Sequence, residues 1–366
     1  MNTARAKLQI TYQKKDITEA LDKYILGWTY TDNLTGQADD LQITLEDTAQ
    51  LWLGPWMPEK GASINAKIVR QNWDKEGATD TLPAGLFEID EIEMTLVPSV
   101  VTIKALSVPQ SKSLRGQQKN RAWENTKLSV IARDIAKKSG LKLIYDVTDD
   151  PEYDRVEQSG ETDLEFLSRL CNDEALALKV TGTSIAIIDE QKYEKKAPIA
   201  TIRRRKTVRY DADLRKNVTE YGPPEVVFGN TVSKTGVKNI SARTTMQGVY
   251  RSCRIEYQNS KTKKKIQHTF TPPNPPKTDR VLFVNERVSS AGEAVRLAKK
   301  KLRQANKESV TVSMTLTGDT HFVAGVTVML QGFGAFDGKY LVTKATHSQS
   351  SGYETMVEMR RCLEGY

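Results

Sequence analysis

Residues 310–317, VTVSMTLT, place Val310, Val312, Met314 and Leu316 at every second position, with Thr311, Ser313 and Thr315 between them. That period puts the two sets on opposite faces of an extended chain, so it demands a strand with one side buried and one in water. The pattern recurs. Leu41, Ile43 and Leu45 alternate with Gln42, Thr44 and Glu46, and Ile64, Ala66 and Ile68 alternate within SINAKIV. GLFEIDEIEM and VVTIKAL follow, joined at Pro98 and Ser99 in the manner of a hairpin. Residues 1–115 therefore read as a first all-β unit, a small barrel, whose boundary is the polar stretch SKSLRGQQKNRAWEN.

The period then changes. In NTKLSVIARDIAKKSGL, Leu128, Ile131, Ala132 and Ile135 share one helical face, and Gly140 stands where a left-handed cap ends a helix. LKLIYDV reads as a strand. Thr162 and Glu165 have capping-box spacing, and Leu164, Leu167, Leu170 and Cys171 form the apolar stripe of the helix they start. ALKVTGTSIAIID returns to strand alternation, so residues 120–195 form an α+β domain inserted between β-rich regions.

Residues 196–366 read as a second β unit, with part of 196–250 available to complete the first. APIATIRRRK is a strand running into a basic segment. TPPNPP at 271–276 cannot supply a hydrogen-bond ladder and is an extended loop. Ser290 and Glu293 repeat the capping-box spacing at the head of a helix over 290–306, with Ala294, Leu297, Ala298, Leu302 and Ala305 on one face and a basic opposite face. VTVMLQGFGAFDGKYLVTKATHS closes the chain, with Asp337 and Gly338 suited to a tight hairpin turn.

No apolar run approaches the roughly 18 residues of a membrane span. The start, MNTARAKLQITYQKKD, lacks the apolar centre of a secretory signal. Cys171, Cys253 and Cys362 are odd in number and widely separated, which fits neither a disulfide framework nor a zinc site and points to a reducing cytoplasm. The net charge of +8 invites a nucleic-acid partner, but 46 acidic residues stand against 54 basic ones, a moderate bias only.

Chemistry is sparse. His268, His321 and His347 lie at no metal-ligand spacing from one another or from a cysteine. Asp90, Glu91 and Glu93 could suggest a glycosidase pair, yet strand alternation sends Asp90 to one side and Glu91 and Glu93 to the other, as on a solvated edge. Gly332, Gly334 and Gly338 miss dinucleotide spacing and read as turn glycines. The basic runs RRRK at 203–206, KKK at 263–265 and KKKLR at 299–303 lack interleaved aromatics and read as solvated faces or protein contacts. No catalytic, cofactor-binding or metal residue is assigned.

VEQSGETDLEFLSRLCNDEALALKV, preceded by LSVIARDIAKKSGLKL, resembles the late control protein D family, the baseplate hub proteins of contractile phage tails and related bacteriocins, whose fold is shared with the N-terminal part of type VI secretion spike proteins. Gln158, Glu161, Thr162, Asp163, Phe166, Leu167, Arg169 and Leu170 carry its most specific part. DDLQITLED, LWLGPWMPEKGASINAKI, GLFEIDEIEM and GFGAFDGKYLVTKATHS resemble the corresponding parts of hubs from Gram-positive contractile tails. One departure is Cys171-Asn172-Asp173-Glu174, where the family has a small apolar residue and a glycine-like pattern.

The resemblance implies a β-rich α+β fold: two small β-barrel-like, tube-type domains with an inserted α+β domain. It implies a homotrimeric ring, non-enzymatic, that joins a sixfold tail tube protein to a threefold central spike protein and touches other baseplate proteins and the tape-measure protein. The expected place is the baseplate of a virion or tail-like particle assembled in the bacterial host cytoplasm, without membrane insertion or specific nucleic-acid binding. The competing readings are a hub with cell-wall hydrolase activity and a basic nucleic-acid-binding protein. The chain ends at Tyr366 without a fused hydrolase or spike in view.

Overall fold

The computed structural model describes residues 4–73, 75–107, 113–258, 265–286, 288 and 290–366. A first β unit contains β1 (Arg5–Tyr12), β2 (Lys15–Asp16), α1 (Thr18–Asp22), β3 (Ile25–Asn33), β4 (Asp40–Glu46), β5 (Ser63–Gln71), β6 (Thr79–Leu96) and β7 (Ser99–Leu106). A first insert follows, with α2 (Ser113–Gly116), β8 (Lys119–Lys127), α3 (Leu128–Lys138), β9 (Lys142–Asp146), β10 (Glu152–Glu161), α4 (Asp163–Asp173), β11 (Ala177–Val180), β12 (Ser184–Ile188) and α5 (Glu190–Lys195). The long strands β13 (Ala200–Asp211), β14 (Lys216–Phe228) and β15 (Thr231–Thr244) come next. A second insert holds β16 (Ser252–Gln258), β17 (Lys265–Phe270), β18 (Val281–Val284) and α6 (Ala291–Asn306), and β19 (Val310–Thr317), β20 (Thr327–Gln331), β21 (Gly338–Gln349) and β22 (Tyr353–Arg361) complete the chain.

Both β units belong to one hydrogen-bonded array, ordered β2-β1-β5-β6-β7-β4-β3-β21-β20-β13-β14-β15-β19-β22. Because β22 also pairs with β21, the last seven strands of that order close on themselves. The two units meet along β3 and β21, in register from Lys344↔Asn33 to Gln349↔Trp28. Strand directions give the assembly two unlike ends. The β6–β7 turn, the start of β3, the end of β4 and the β21–β22 turn lie at one, which we call the turn end. Both inserts leave from the other, after β7 and after β15, and the β13–β14 hairpin points the same way.

Each unit and each insert has its own apolar core. The expected alternation is realised: Leu41, Ile43, Leu45, Ile64, Ala66, Ile68, Val312, Met314 and Leu316 are all buried. α3 buries Leu128, Ile131, Ala132 and Ile135, and Gly140 ends it with φ of 65°. In α4 the capping box of Thr162 and Glu165 is present, but the buried stripe runs through Phe166, Leu167, Leu170 and Cys171, with Leu164 only half-buried.

Several expectations change. The polar stretch assigned to a boundary forms α2 and β8, apart from Ser111 and Lys112, which lie outside the described residues; Trp123 of β8 stacks on Phe166 at 5.1 Å. Residues 200–244 do not complete the first unit, because β13 pairs with β14 and β20, and β15 with β14 and β19. The β20–β21 connection is not a two-residue turn at Asp337–Gly338. It runs through a short 3-10 helix at Gly334–Phe336, Asp337 Oδ1 accepts from the Phe333 amide at 2.6 Å, and Gly338 already opens β21. On α6, Arg303 is not on a solvated basic face but is buried against Glu194 at 2.5 Å.

The seam between the units is closed by polar groups as well as strands. Arg70 of β5 donates to the Gly318 carbonyl at 3.2 Å and pairs with Asp80 at 2.8 Å, and the amide of Ala324 donates to Asp32 at 2.8 Å. His347 of β21 is fully buried and stacks between Tyr30 of β3 and Tyr353 of β22. Its Nε2 lies 3.1 Å from the Phe322 carbonyl, which can only accept, so Nε2 carries the proton and Nδ1 accepts from the Tyr353 hydroxyl at 2.8 Å. Burial pushes this imidazole down to about 4, so it is neutral in the folded chain, whereas an unfolded histidine titrates near 6.5. Between those values the unfolded state binds more protons, and stability falls as pH falls. Lowering pH from 7 to 5 is expected to cost about 2 kcal/mol through this group. Denaturant titrations at both pH values check it: His347→Gln should shrink the pH-dependent loss by about that amount.

Candidate assembly interface

The stretch from Gln158 to Leu170 builds a buried polar knot rather than an open site. Gln158, 1% exposed, accepts from Arg121 Nη2 at 2.9 Å and donates to the Glu161 carbonyl at 2.9 Å and to Asp163 at 3.1 Å. Asp163 has no exposed surface and also receives Lys119 at 2.5 Å and the Arg121 guanidinium. Arg169 grips Glu161 through two bonds of 2.8 Å, and this holds the Glu161 carboxyl below the usual range. Asp163 thus ties β8, β10 and the head of α4 together, while its charge sits at the positive end of the helix dipole. Where a glycine-like pattern was expected after Leu170, Ala175 takes φ of 55° and Glu174 reaches Lys300 of α6 at 2.5 Å.

Other residues singled out by type are not brought together into a reactive site. Burial raises the thiols of Cys171, Cys253 and Cys362, to about 12, 11 and 11 respectively, so all three stay protonated at neutral pH. His321 hydrogen-bonds Asp319 at 2.7 Å, which raises its imidazole; His347 lies in the seam and His268 in β17. Glu91 and Glu93 share Lys104, at 3.1 and 3.2 Å, on an exposed strand face. Among the described residues no group of three His, Cys, Asp or Glu side chains could hold a metal ion.

The basic runs are largely engaged by protein. Arg203 and Arg205 both reach Glu225, at 3.4 and 3.0 Å, and Arg204 lies over the Tyr221 ring while donating to the Gly222 carbonyl at 3.1 Å. Lys299 sits over Phe270, Lys300 and Lys301 pair with Glu174 and Glu286, and Lys265 pairs with Glu256. Lys263 and Lys264 lie outside the described residues.

Pattern reading missed an arm. β13 and β14 pair with each other out to Asp211↔Lys216, but β14 pairs with β15 only between Glu225 and Phe228. Residues 206–221 therefore form a two-stranded hairpin that outruns the rest of the array. One of its faces carries Val208 and Tyr210, 56% and 64% exposed, beside Tyr221; the other is laced by Arg209 and Glu220 at 2.5 Å. Asp211 Oδ1 accepts from the amides of Asp213 and Leu214, at 3.1 and 3.0 Å, and leaves Leu214 exposed at the tip. The alternation of Val208 and Tyr210 with Thr207 and Arg209, followed by Asp211-Ala212-Asp213, was the available signal.

Where β14 parts from β15, a cleft of about 280 Å³ opens between Arg204, Tyr221, Ile240, Leu330 and Phe333. Gly332 on its wall is required: its φ is +85° and a Cβ there would lie 2.7 Å from the Arg204 carbonyl oxygen. Among the described residues, the edge of β1 from Arg5 to Ile10 that faces away from β5 has no strand partner either. Free edges and an exposed apolar arm are features of a chain built to join other chains.

A closed strand circuit is joined to a second β unit, with inserts at one end and unpaired strand edges at the flanks, the architecture of a chain that can join others edge to edge. The family model described as phage tail baseplate hub (GPD) matches residues 101–353, and the chain belongs to that family. It is 23% identical over 372 residues to a probable baseplate hub protein of Escherichia phage 186, covering 96% of this chain and 91% of that one. The fold is similar to the 43 kDa tail protein of prophage MuSo2 from Shewanella oneidensis, with a TM-score of 0.67, 15% identity and 98% of each chain covered. It is also similar to a component of the type VI secretion system of E. coli, with a TM-score of 0.52 and 14% identity over 100% of this chain and 78% of that one.

Removing one partner of a buried ionic knot strands the others, so Asp163→Ala should destabilise the chain by about 3 kcal/mol. Arg155→Ala removes an exposed pair with Glu124 and Glu157 and should leave the unfolding midpoint unchanged within error. Chemical denaturation of both variants checks the contrast.

Proposed function

We propose that this hub assembles as a homotrimeric ring that adapts the sixfold tail tube to the threefold central spike in the baseplate of a virion or tail-like particle. The observation that carries the reading is the fusion of two β units into one array. Three chains with two such units each offer six quasi-equivalent segments, and a ring of them presents sixfold character on a threefold frame. The closed circuit supports a barrel-like second domain, and the seven strands before it support an open, barrel-like first one.

The domains we assign are residues 1–115, 120–195 and 196–366, with β21 of the last completing the sheet of the first. The edge of β1 and the β13–β14 arm are the joints between subunits, since unpaired strand edges are satisfied by pairing with another chain. The first insert decorates the end it occupies and contacts other baseplate proteins, and the bore passes the tape-measure protein. The role is structural and non-enzymatic. Protonated thiols and dispersed carboxylates support that, as does the description of the relatives as hub proteins.

Native mass spectrometry across a concentration series tests the ring: a trimer is expected, and a monomer at every concentration would overturn it. Engagement of the arginines by Glu225 and Tyr221 argues against a nucleic-acid site. If DNA were the partner, replacing Arg203, Arg204 and Arg205 with Ala would steeply reduce affinity and flatten its salt dependence. The expected result is weak, sequence-indifferent binding that the triple variant leaves nearly unchanged.

A further inference from the structure

The first insert meets the first β unit at a junction whose charges do not balance. The connection between β3 and β4, residues 34–39, reaches into the insert. Thr35 Oγ1 accepts from the Leu178 amide at 3.1 Å and donates to the Leu178 carbonyl at 3.2 Å, and Ala38 packs against the insert core. Ser107 Oγ accepts from the Asp39 amide at 3.0 Å and donates to the Val180 carbonyl at 3.3 Å. At Gly182 the β11–β12 turn comes so close to β6 that a Cβ there would lie 2.7 Å from the Leu86 carbonyl oxygen. These contacts are mostly polar, so the hold on the insert is sensitive to charge.

Lys179 of β11 stands at the centre. Its ammonium group pairs with Asp32, donates to the Asn33 carbonyl at 2.9 Å and lies 3.1 Å from Asp39. Those partners use all three of its donors. Asp32 and Asp39 are only 6% and 4% exposed, and among the described residues Lys179 is the one cation in ion-pair reach of either. Two buried carboxylates therefore face one ammonium. Buried charge is costly unless it is matched, so the junction is short of one positive charge.

A proton supplies that charge, and the surroundings say where it goes. Asp40 of β4 turns to Thr31 and Lys344, and burial keeps the Tyr30 phenol neutral. His347 uses both ring nitrogens as a neutral imidazole, with Asp32 and Asp319 near it. Asp32 has both oxygens engaged, one by Lys179 and the other by the Ala324 amide at 2.8 Å. In Asp39, Oδ1 accepts from the Asn33 amide at 2.8 Å, whereas Oδ2 meets only Lys179. Burial outweighs the pull of Lys179 and, with Asp32 adding to the rise, pushes the Asp39 carboxyl up to about 6.

We propose that the junction of Lys179, Asp32 and Asp39 is a proton-linked latch, in which the first insert docks on the first β unit by taking up a proton at Asp39 and is held less tightly as pH rises to neutrality. An aspartate in water titrates near 3.8, so between that value and 6 the docked state binds more protons than the undocked one. Docking gains its full proton-linked strength below this window and loses it as pH rises through 6. The sign is opposite to that of His347, which weakens the whole fold as pH falls. The latch does not depend on the ring.

Hydrogen exchange of the full chain at pH 5 and pH 7, corrected for intrinsic rates and read residue by residue by mass spectrometry, tests it. The Leu178 amide reports docking, because its acceptor lies across the junction on Thr35. Its protection is expected to fall about tenfold from pH 5 to pH 7, while Ile131 and Ile135 in the core of the insert show no such fall. Asp39→Asn, neutral at both pH values, should abolish the fall. Lys179→Met leaves both carboxylates without their cation and should steepen it, which decides the matter if Asp39→Asn does not fold. Equal Leu178 protection at both pH values, or a fall that Asp39→Asn retains or Lys179→Met leaves unchanged, would overturn the latch. A parallel fall at Ile131 and Ile135 would overturn it too, because the event would then be unfolding of the insert and not its release.

Discussion

Everything else in this chain is arranged around the pairing of β3 with β21. Those strands stand more than 300 residues apart in sequence, yet they lie side by side from Asn33 to Trp28. Once they pair, the N-terminal and C-terminal strands share one array, and the chain between them must leave that array and return to it. It does so twice, through residues 107–199 and 245–309, and each excursion is long enough to bury a core of its own. A closed strand circuit removes edges that could otherwise recruit other chains, whereas the outer edge of β1 and the far end of the β13–β14 arm keep edges without strand partners among the described residues.

Polar groups hold the pieces in orientation. Lys179 of the first insert reaches Asp32 and Asp39 of the first unit, and Thr35 exchanges hydrogen bonds with the backbone of Leu178. Between α5, α6 and β22, Arg360 meets Glu190 and Glu194 at 2.6 Å each, and Arg303 meets Glu194. Burial alone would raise the Glu190 carboxyl, but Arg360, Lys307 and Arg303 hold it below the usual range. Buried ion pairs of this kind add little net stability compared with apolar contacts, but a misplaced domain would leave them unpaired at high cost. They act as selectors of one arrangement more than as sources of raw stability.

The family stretch shows why a strong motif need not be a functional site. Gln158, Asp163, Thr162, Glu165 and Arg169 were legible as helix-start chemistry, and that is what they do, with Asp163 and Gln158 buried as a hydrogen-bonded hub inside the insert. The arm was harder to see, because its alternation is diluted by Arg and Lys on both faces and because it is defined by outrunning its neighbours. Leu164 gave way to Phe166 in the stripe because the β8 indole stacks on that side of the helix, a contact no helical period contains. Arg303 looked like surface on charge alone; only its meeting with Glu194 from a distant helix makes its burial tolerable.

The sequence by itself determined the local elements. Strand alternation, the two N-caps at Thr162 and Ser290, and the left-handed stop at Gly140 follow from steric and hydrogen-bonding rules that act over a few residues. Which strands are neighbours, which carboxylate neutralises which buried arginine, and that residues 200–244 serve the C-terminal circuit were decided only by the tertiary structure. Pairing of a strand edge depends on backbone groups that every residue shares, so its partner is chosen by the packing of whole units and not by local composition.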